Sequence, residues 1–211
     1  MLTREQVVAW LKACAEVFAE QRDFLTGLDT DIGDGDHGIN MQRGFAKVAE
    51  KLPAVADKDI GQILKTTGMT LLSSVGGASG PLYGTFFIRA AGVADAHQSL
   101  TLAEVRQMLS DGVEGIVSRG RAEPSDKTMC DVWWPVLAAL GEAERDGLSL
   151  TQALERAVAV AEQAVKSTIP MQARKGRASY LGERSIGHQD PGATSSCLLL
   201  ATLARQVGEA A

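Results

Sequence analysis

Apolar residues recur at spacings of three and four along almost the whole chain, which is the pattern of amphipathic helices. Near the N-terminus, for example, Val7, Trp10, Leu11 and Cys14 follow one another at helical spacing. No segment alternates apolar and polar residues as a half-buried strand would. None has the continuous apolar run of a strand buried inside an α/β sheet. The sequence therefore predicts an all-α protein.

Local start and stop signals delimit eight helices. Thr3 with Gln6 and Thr101 with Glu104 form capping boxes, in which each side chain accepts a hydrogen bond from the other residue's backbone N–H. The predicted helices begin near residues 3, 39, 59, 81, 101, 129, 149 and 190. Their similar lengths and mostly short connections favour an up-and-down bundle of antiparallel helices. No linker or repeat divides residues 1–211, so we predict a single domain.

The composition excludes several classes of protein. The net charge of −5 argues against nucleic acid as the main partner, because such binding rests on neutralising phosphates. No apolar signal region follows Met1, and no run reaches the roughly 18 apolar residues of a membrane span, so no membrane association is expected. Cys14, Cys130 and Cys197 lie far apart in apolar surroundings. This usage predicts reduced core cysteines in a cytoplasmic protein.

Residues 29–40 form an acidic stretch in which Asp29, Asp31, Asp34 and Asp36 are interleaved with glycines. Two ionised carboxylates about 4 Å apart repel by about 4 kcal/mol at an effective dielectric constant of about 20. A turn that gathers several of them needs a counter-charge, and a hard divalent cation with oxygen ligands is the usual one. We therefore predict a metal site here, with a plain acidic surface turn as the alternative.

Known metal and phosphate motifs do not account for this stretch. The calcium-loop pattern fails, because Gly33, Asp34 and Asn40 stand where it requires an Asp or Asn, a Gly and a Glu. The run Gly33–Gly38 spells G-x-G-x-x-G, but no strand precedes it and its aspartates would repel a pyrophosphate. The chain contains neither a G-x-x-x-x-G-K-[ST] loop nor the protein-kinase set of motifs. Phosphate in this region would therefore bind through metal.

A glycine loop at residues 74–81 connects the third and fourth predicted helices. Gly76 and Gly77 leave backbone N–H groups uncovered immediately before a helix N-terminus. Both the geometry and the helix dipole there favour an anion. The alternative is a flexible turn in which Ser79 or Gly80 caps the helix.

Residues 171–190 form the longest connection, and a loop of this length in a compact domain is usually functional or disordered. Its charged side chains up to position 184 are Arg174, Lys175, Arg177, Glu183 and Arg184. Arginine suits bidentate contacts with phosphate, so this basic segment predicts a phosphate-binding role. A solvated, mobile loop is the alternative.

Four other features carry weaker signals. Residues 126–129 open a helix and serve either as a cap or as part of a site. Gly120 would allow a ligand to approach the backbone closely. His97 lies near a helix end and is expected to be structural, whereas His188 lies in the basic segment and is expected near a ligand.

Four motifs, in this order, resemble the nucleotide-binding domain of dihydroxyacetone kinases. They are Asp29 with GDGDHGINM at 33–41, GGASGPLYGT at 76–85, DKTM at 126–129, and ARKGRASYLGERS at 173–185 with GHQDPGATS at 187–195. The resemblance spans nearly the whole chain. It implies a barrel of eight antiparallel amphipathic helices with a nucleotide site at one end. ADP or ATP is expected to bind there through magnesium, with two ions expected.

The resemblance also implies roles for individual residues. Asp29, Asp34 and Asp36 are expected to bind magnesium, whereas Asp31 falls outside the family's metal pattern and is expected to face solvent. The expected nucleotide contacts are His37, Gly38, Ile39, Asn40, Gly76, Gly77, Ala78 and Ser79 around the phosphates, Gly120 and Met129 beside the adenine, and Arg177, Asp190, Pro191 and Gly192 closing over the nucleotide.

ATP-dependent members of this family carry a second domain that holds dihydroxyacetone on a histidine. This chain begins two residues before its first predicted helix and ends just after its eighth. It therefore resembles the separate L subunit of phosphotransferase-system-dependent dihydroxyacetone kinases. The resemblance implies two partners: a K subunit that presents dihydroxyacetone, and a phosphohistidine-carrying M subunit that converts bound ADP to ATP in place. It leaves a transcriptional regulator and a second copy of this chain open as further partners.

No residue of the chain is assigned as catalytic from sequence. Phosphoryl transfer rests on positioning and charge stabilisation, and we expect the general base to come from the partner. Two alternatives stay open. One is the nucleotide domain of a related kinase that acts on a fatty acid held by a separate protein. The other is a non-catalytic regulator that binds ADP.

Overall fold

Helices form nearly all the regular structure in residues 1–209, the part of the chain that this computed structural model describes. The nine α-helices in that part are α1 (Arg4–Glu20), α2 (Arg22–Ile32), α3 (His37–Lys51), α4 (Ile60–Ser74), α5 (Ser79–Val93), α6 (Leu102–Gly120), α7 (Cys130–Arg145), α8 (Leu150–Ser167) and α9 (Pro191–Glu209). Two 3-10 helices cover Leu52–Ala54 and Arg177–Ser185. Strands β1 (Leu2–Thr3) and β2 (Ser99–Leu100) pair antiparallel.

Eight of these helices close into a ring. Each contacts the next in the order α1, α3, α4, α5, α6, α7, α8 and α9, and α9 packs back against α1. The ninth, α2, lies outside this order and contacts α3, α9 and the 3-10 helix Arg177–Ser185. The predictions of an all-α fold and of an eight-helix barrel are therefore confirmed.

The helix starts follow from local capping, as predicted. The side chains of Thr3, Thr101 and Ser149 each accept a hydrogen bond from the backbone N–H three residues on, and each capping box is complete. Asp59 caps α4 in the same way by accepting from Gln62 N–H. Such a cap stabilises a helix by about 0.5–2 kcal/mol relative to alanine.

The prediction missed α2, because it placed the whole acidic stretch in a loop. Asp29 instead lies in the last turn of α2, and only residues 33–36 form the turn that leads into α3. Leu25 and Ile32 are the buried residues of α2, and they hold it against its neighbours. The carboxylates of the acidic stretch are therefore supplied partly by a helix end and partly by a turn.

Aromatic side chains from several helices pack against one another inside the barrel. The ring centroid of Phe86 lies 5.1 Å from that of Trp133 and 5.2 Å from that of Phe87. Phe87 in turn contacts Trp10 and Phe45. Within residues 1–209, no helix combines the length and the apolarity needed to cross a bilayer. Most of the large apolar side chains are buried in one continuous core.

Candidate functional site

A cavity of about 480 Å³ lies at one end of the barrel. Its wall is formed by the N-terminal ends of α3, α5, α7 and α9, by the C-terminal ends of α2 and α6, and by residues 175–178. A helix N-terminus carries unpaired backbone N–H groups and a partial positive charge. Four such ends around one cavity favour an anionic ligand.

The structure gathers the predicted site residues around this cavity. The three predicted metal carboxylates line it, as do all but two of the predicted nucleotide residues. The exceptions are Gly38 and Ile39 in the first turn of α3. A Cβ on Gly38 would come within 1.9 Å of the Arg22 carbonyl oxygen, so this residue faces α2. The Ile39 side chain is exposed to solvent.

Asp29 ties the acidic turn to the start of α3. Its Oδ2 accepts hydrogen bonds from the backbone N–H groups of Asp36 (2.9 Å) and His37 (3.0 Å). The turn between them needs two glycines. A Cβ on Gly33 would come within 2.2 Å of Asp29 Oδ1, and Gly35 has a φ of +73°, which disfavours other residues. Gly35 is thus favoured by its backbone conformation, whereas a side chain at position 33 would displace the Asp29 carboxylate.

The carboxylate oxygens of the acidic turn are suitable ligands for a magnesium ion. Asp36 makes no capping bond to α3, and Asp34 Oδ1 lies 3.1 Å from Arg177 Nε. Within the described residues, no three His, Cys, Asp or Glu side chains converge as a ready-made metal site. Magnesium commonly binds one or two carboxylates and completes its shell with water and substrate phosphates. This donor set therefore suits a magnesium ion that arrives with a phosphate ligand.

Asp31 and the two histidines outside α3 lie away from the cavity lining. Asp31 is exposed, as predicted, and its Oδ2 lies 3.8 Å from His188 Nδ1. His188 therefore lies beside the last turn of α2, and it does not line the cavity. His97 follows the C-terminal end of α5, donates from Nδ1 to the Asp95 carbonyl (2.8 Å), and pairs through Nε2 with Glu104 (2.7 Å). Both contacts lie outside the cavity, and the structural role of His97 stays a prediction.

Asn40 is oriented by Arg43, one turn further along α3. The Arg43 guanidinium donates to Asn40 Oδ1 and to the carbonyl of Ser74 (3.0 Å). Because a guanidinium can only donate, it holds the amide oxygen and leaves the Asn40 NH₂ group for other acceptors. Asn40 lies beside Gly76 of the glycine loop, where a Cβ would meet its Nδ2 at 3.5 Å. Asn40 therefore offers donors next to that loop.

His37 is a buried, hydrogen-bonded residue at the start of α3. Its Nδ1 lies 3.1 Å from Ser79 Oγ and its Nε2 lies 2.9 Å from Ser195 Oγ. Burial lowers the pKa of His37 to about 4, and the nearby charges of Asp29 and Asp36 offset only part of this effect. The ring is therefore neutral at neutral pH. Since both of its nitrogens are already engaged, it does not present a free nucleophile.

Asp190 caps α9 from inside the cavity. Its Oδ2 accepts from Ala193 N–H at 2.8 Å. Burial raises the pKa of the Asp190 carboxyl to about 7, although this hydrogen bond and the charge of Lys127 act in the opposite direction. Asp190 is thus a group in the cavity that titrates near neutral pH.

The basic segment is anchored by a buried lysine. Lys127 Nζ donates to the carbonyls of Thr168 (2.6 Å), Ile169 (3.3 Å) and Met171 (3.1 Å). The next part of the segment is fixed by the bond from Arg174 N–H to the Asp126 carbonyl (3.0 Å). These contacts join the segment to the 126–129 motif.

Beyond Arg174, the basic segment runs towards the acidic turn at residues 33–36. Arg177 pairs with Asp34, and Lys175 and Ala178 join it in lining the cavity. Arg174 and Arg184 do not line the cavity. Part of the predicted loop, Arg177–Ser185, forms 3-10 turns that are interrupted by a kink at Gly182 (φ +57°).

An apolar wall of the cavity went unpredicted. Leu82, Ile116 and Ala122 contribute to it together with Met129, whose role was predicted from the resemblance. In the sequence, Leu82 and Ile116 are indistinguishable from the core residues of their helices. Thr128, which also lines the cavity, belongs to a motif that sequence analysis singled out without giving this residue a role. The wall offers a flat apolar group a place beside the anion-binding end.

Comparison with known proteins identifies the family. Residues 31–205 match the DAK2 domain. The chain belongs to the DAK2 domain family. Among curated members of the DAK2 family, it is 65% identical over 203 residues to the "PEP-dependent dihydroxyacetone kinase, ADP-binding subunit DhaL" of Escherichia coli, covering 96% of this chain and 97% of that protein. It is 43% identical to the "PEP-dependent dihydroxyacetone kinase 1, ADP-binding subunit DhaL" of Listeria innocua, covering 93% of each chain.

A solved structure of a dihydroxyacetone kinase has the same fold. The dihydroxyacetone kinase of C. freundii superposes with a TM-score of 0.73 at 22% identity, covering 94% of this chain. The matched part is 34% of that kinase, so this chain corresponds to about a third of it. The same kinase has been solved in complex with AMP-PNP and Mg²⁺, with a TM-score of 0.70. At this identity the likeness establishes the fold.

Proposed function

We propose that this chain is the ADP/ATP-binding subunit of a dihydroxyacetone kinase, a phosphoenolpyruvate–glycerone phosphotransferase. Bound ATP would donate its terminal phosphoryl group to dihydroxyacetone held by a separate K subunit. A phosphohistidine M subunit would then rephosphorylate the ADP in place. The observation that carries the proposal is the convergence of acidic turn, glycine loop and basic segment on one cavity. The E. coli relative, named as such an ADP-binding subunit, supports it.

We propose that Asp29, Asp34 and Asp36 hold magnesium, with two ions as the expected number. Magnesium supplies charge that offsets the phosphates when it is bound. Asp29 would contribute through Oδ1, because its Oδ2 already accepts two backbone N–H groups. Arg177 would leave Asp34 and face the phosphates, since their ion pair is exposed and such pairs are weak.

The cavity suits a nucleoside diphosphate in size and in polarity. Its volume of about 480 Å³ lies within the usual range of small-molecule sites, about 300–1,000 Å³. The phosphates would lie against the glycine loop and the N-terminus of α3, where Ser79 and Asn40 offer donors. The adenine would lie against the apolar wall near Gly120, Leu82 and Ile116. Residues 190–192 and Arg177 would close the remaining side.

The general base is expected from the K subunit. His37 has both ring nitrogens engaged, and the Asp190 carboxylate is bonded to the start of α9. Phosphoryl transfer depends mainly on positioning and charge stabilisation, which this cavity can supply without a base of its own. A small neutral triose also offers little binding energy, so a second protein is needed to hold it.

A cytoplasmic location belongs to the same proposal. The three cysteines are free, and Cys14 and Cys130 are buried. Such unpaired core thiols are typical of proteins in a reducing compartment.

Reconstitution with purified subunits and labelled phosphoenolpyruvate tests the proposal. The label should reach dihydroxyacetone phosphate only when the K and M subunits and the general phosphotransferase proteins accompany this chain. It should pass through nucleotide that stays with this chain. Robust phosphorylation of dihydroxyacetone by this chain alone would contradict the proposal, as would stable label on His37 or His188. Transfer to a fatty acid would favour the related kinase, and tight ADP with no transfer to any acceptor would favour a regulator.

A further inference from the structure

A chain of hydrogen bonds leads from the cavity into the barrel core. It links Ser79 Oγ to His37 Nδ1 (3.1 Å), His37 Nε2 to Ser195 Oγ (2.9 Å), Ser195 Oγ to Tyr83 Oη (2.6 Å), Tyr83 Oη to Ser196 Oγ (2.8 Å) and Ser196 Oγ to Trp133 Nε1 (3.0 Å). Ser79 and His37 line the cavity, and the last four members are buried. The proposed function uses only the cavity end of this series of hydrogen bonds.

Donor and acceptor roles can be assigned starting from Trp133, at the core end of the series. An indole N–H can only donate, so Ser196 Oγ accepts from Trp133. Within the described contacts, Tyr83 is the remaining partner of the Ser196 hydroxyl, so Ser196 donates to Tyr83. Tyr83 must therefore pass its own proton to another acceptor. Buried hydroxyls that lack an acceptor are costly, which makes this direction strongly favoured.

The same direction continues towards the cavity. Tyr83 can donate to Ser195 Oγ at 2.6 Å or to the Gly192 carbonyl at 3.3 Å. Ser195 can donate to His37 Nε2 at 2.9 Å or to the same carbonyl at 3.1 Å. The shorter contact at each branch leads to His37. A neutral imidazole that accepts at Nε2 carries its proton on Nδ1, so His37 donates to Ser79.

This direction decides what Ser79 offers to a ligand. When His37 donates to Ser79 Oγ, the Ser79 hydroxyl proton remains free for the cavity. If Ser79 instead donated its hydroxyl proton to His37 Nδ1, its oxygen would present only lone pairs to the cavity. A phosphate oxygen accepts hydrogen bonds, so only the first arrangement gives it a donor.

We propose that Tyr83, Ser195 and Ser196 are positioning residues that fix the hydrogen-bond direction of His37, so that Ser79 presents a donor to the phosphate of a bound nucleotide. The inference rests on the proposed function for its ligand. It adds a second layer of residues, which touch no ligand and act through His37.

Nitrogen-15 NMR of histidine-labelled protein tests the direction without any substitution in the chain of hydrogen bonds. The protein has three histidines, and His97→Gln and His188→Gln variants assign two of the signals. With magnesium and ADP bound, His37 should carry its proton on Nδ1. A complex that retains ADP while His37 carries its proton on Nε2 would overturn this inference alone. Failure of the wild-type protein to bind ADP would overturn the proposed function, and this inference with it.

A pair of tyrosine variants tests the role of the core end. Tyr83→Phe removes the buried hydroxyl, whereas Tyr180→Phe makes the same change at a side chain that is 84% exposed. We expect Tyr83→Phe to weaken ADP binding by about three- to tenfold, the worth of about one hydrogen bond. Its His37 signal should show a mixture of both tautomers. Equal ADP affinity in the two variants, or an unchanged His37 signal in Tyr83→Phe, would contradict the proposal.

Discussion

Replacing Lys127 by methionine should destabilise the whole protein and loosen the basic segment. Lys127 Nζ donates to three backbone carbonyls at 2.6, 3.1 and 3.3 Å, and the residue is 2% exposed. Each hydrogen bond to a charged group is worth about 1.5–3 kcal/mol net, and removing the donor leaves buried carbonyls unsatisfied. Methionine keeps most of the side-chain length and removes the ammonium group. It also has a Cβ like lysine, so the left-handed backbone at position 127 (φ +65°) costs the same in both proteins.

The loss of these three hydrogen bonds is offset in part, because the variant buries no ammonium group. We expect a net destabilisation of about 3 kcal/mol, which in a protein of this size lowers Tm by about 6–12 °C. Thermal unfolding followed by far-UV circular dichroism measures it. Lys47→Met is the matched control, since Lys47 makes only an exposed ion pair with Glu50 and should change stability by less than about 0.5 kcal/mol. Equal Tm values for the two variants would refute the anchoring role of Lys127.

Three further predictions follow from the site. Asp34→Asn and Asp36→Asn should lose bound magnesium and ADP together, while their far-UV circular dichroism stays unchanged. Asp31→Asn, in the exposed part of the same stretch, is the control and should retain both ligands. Metal and nucleotide analysis of the purified variants measures the outcome. Limited trypsin digestion should cut residues 171–190 more slowly with magnesium and ADP than without, and equal rates would contradict ordering by the ligand. The raised pKa of Asp190 means that the folded protein binds its proton more tightly than the unfolded chain does. Its contribution to stability is therefore present below about pH 4 and lost as pH rises through about 7, and Asp190→Asn should flatten that part of a pH–stability curve.

The eight-helix barrel was predictable because its signals are local. Thr101 and Glu104, for instance, lie three residues apart and form their capping box wherever a helix starts there. The helix α2 was missed because few of its residues are buried and its last turn looks like part of an Asp/Gly turn. Leu25, Leu28 and Ile32 do lie at helical spacing, but the Asp and Gly residues among and after them favoured a turn.

The candidate site was predictable in part for the same reason. The acidic stretch and the glycine loop are concentrated in sequence, so their chemistry is visible before folding. The contact between Arg177 and Asp34 joins residues far apart in sequence, and only the ring closure of the barrel brings them together. Leu82 and Ile116 line the cavity for the same tertiary reason. Gly38 shows the reverse case, because packing against α2 turns it away from the cavity.

Calorimetric titration of nucleotide-stripped protein with ADP, with magnesium and again with a chelator, tests whether the acidic turn binds the phosphates through magnesium. If it does, ADP should bind tightly with magnesium and should lose at least about a hundredfold in affinity, about 2.7 kcal/mol, when the metal is removed. ADP affinity that is the same with and without magnesium would contradict the account, and so would the absence of ADP binding in both conditions.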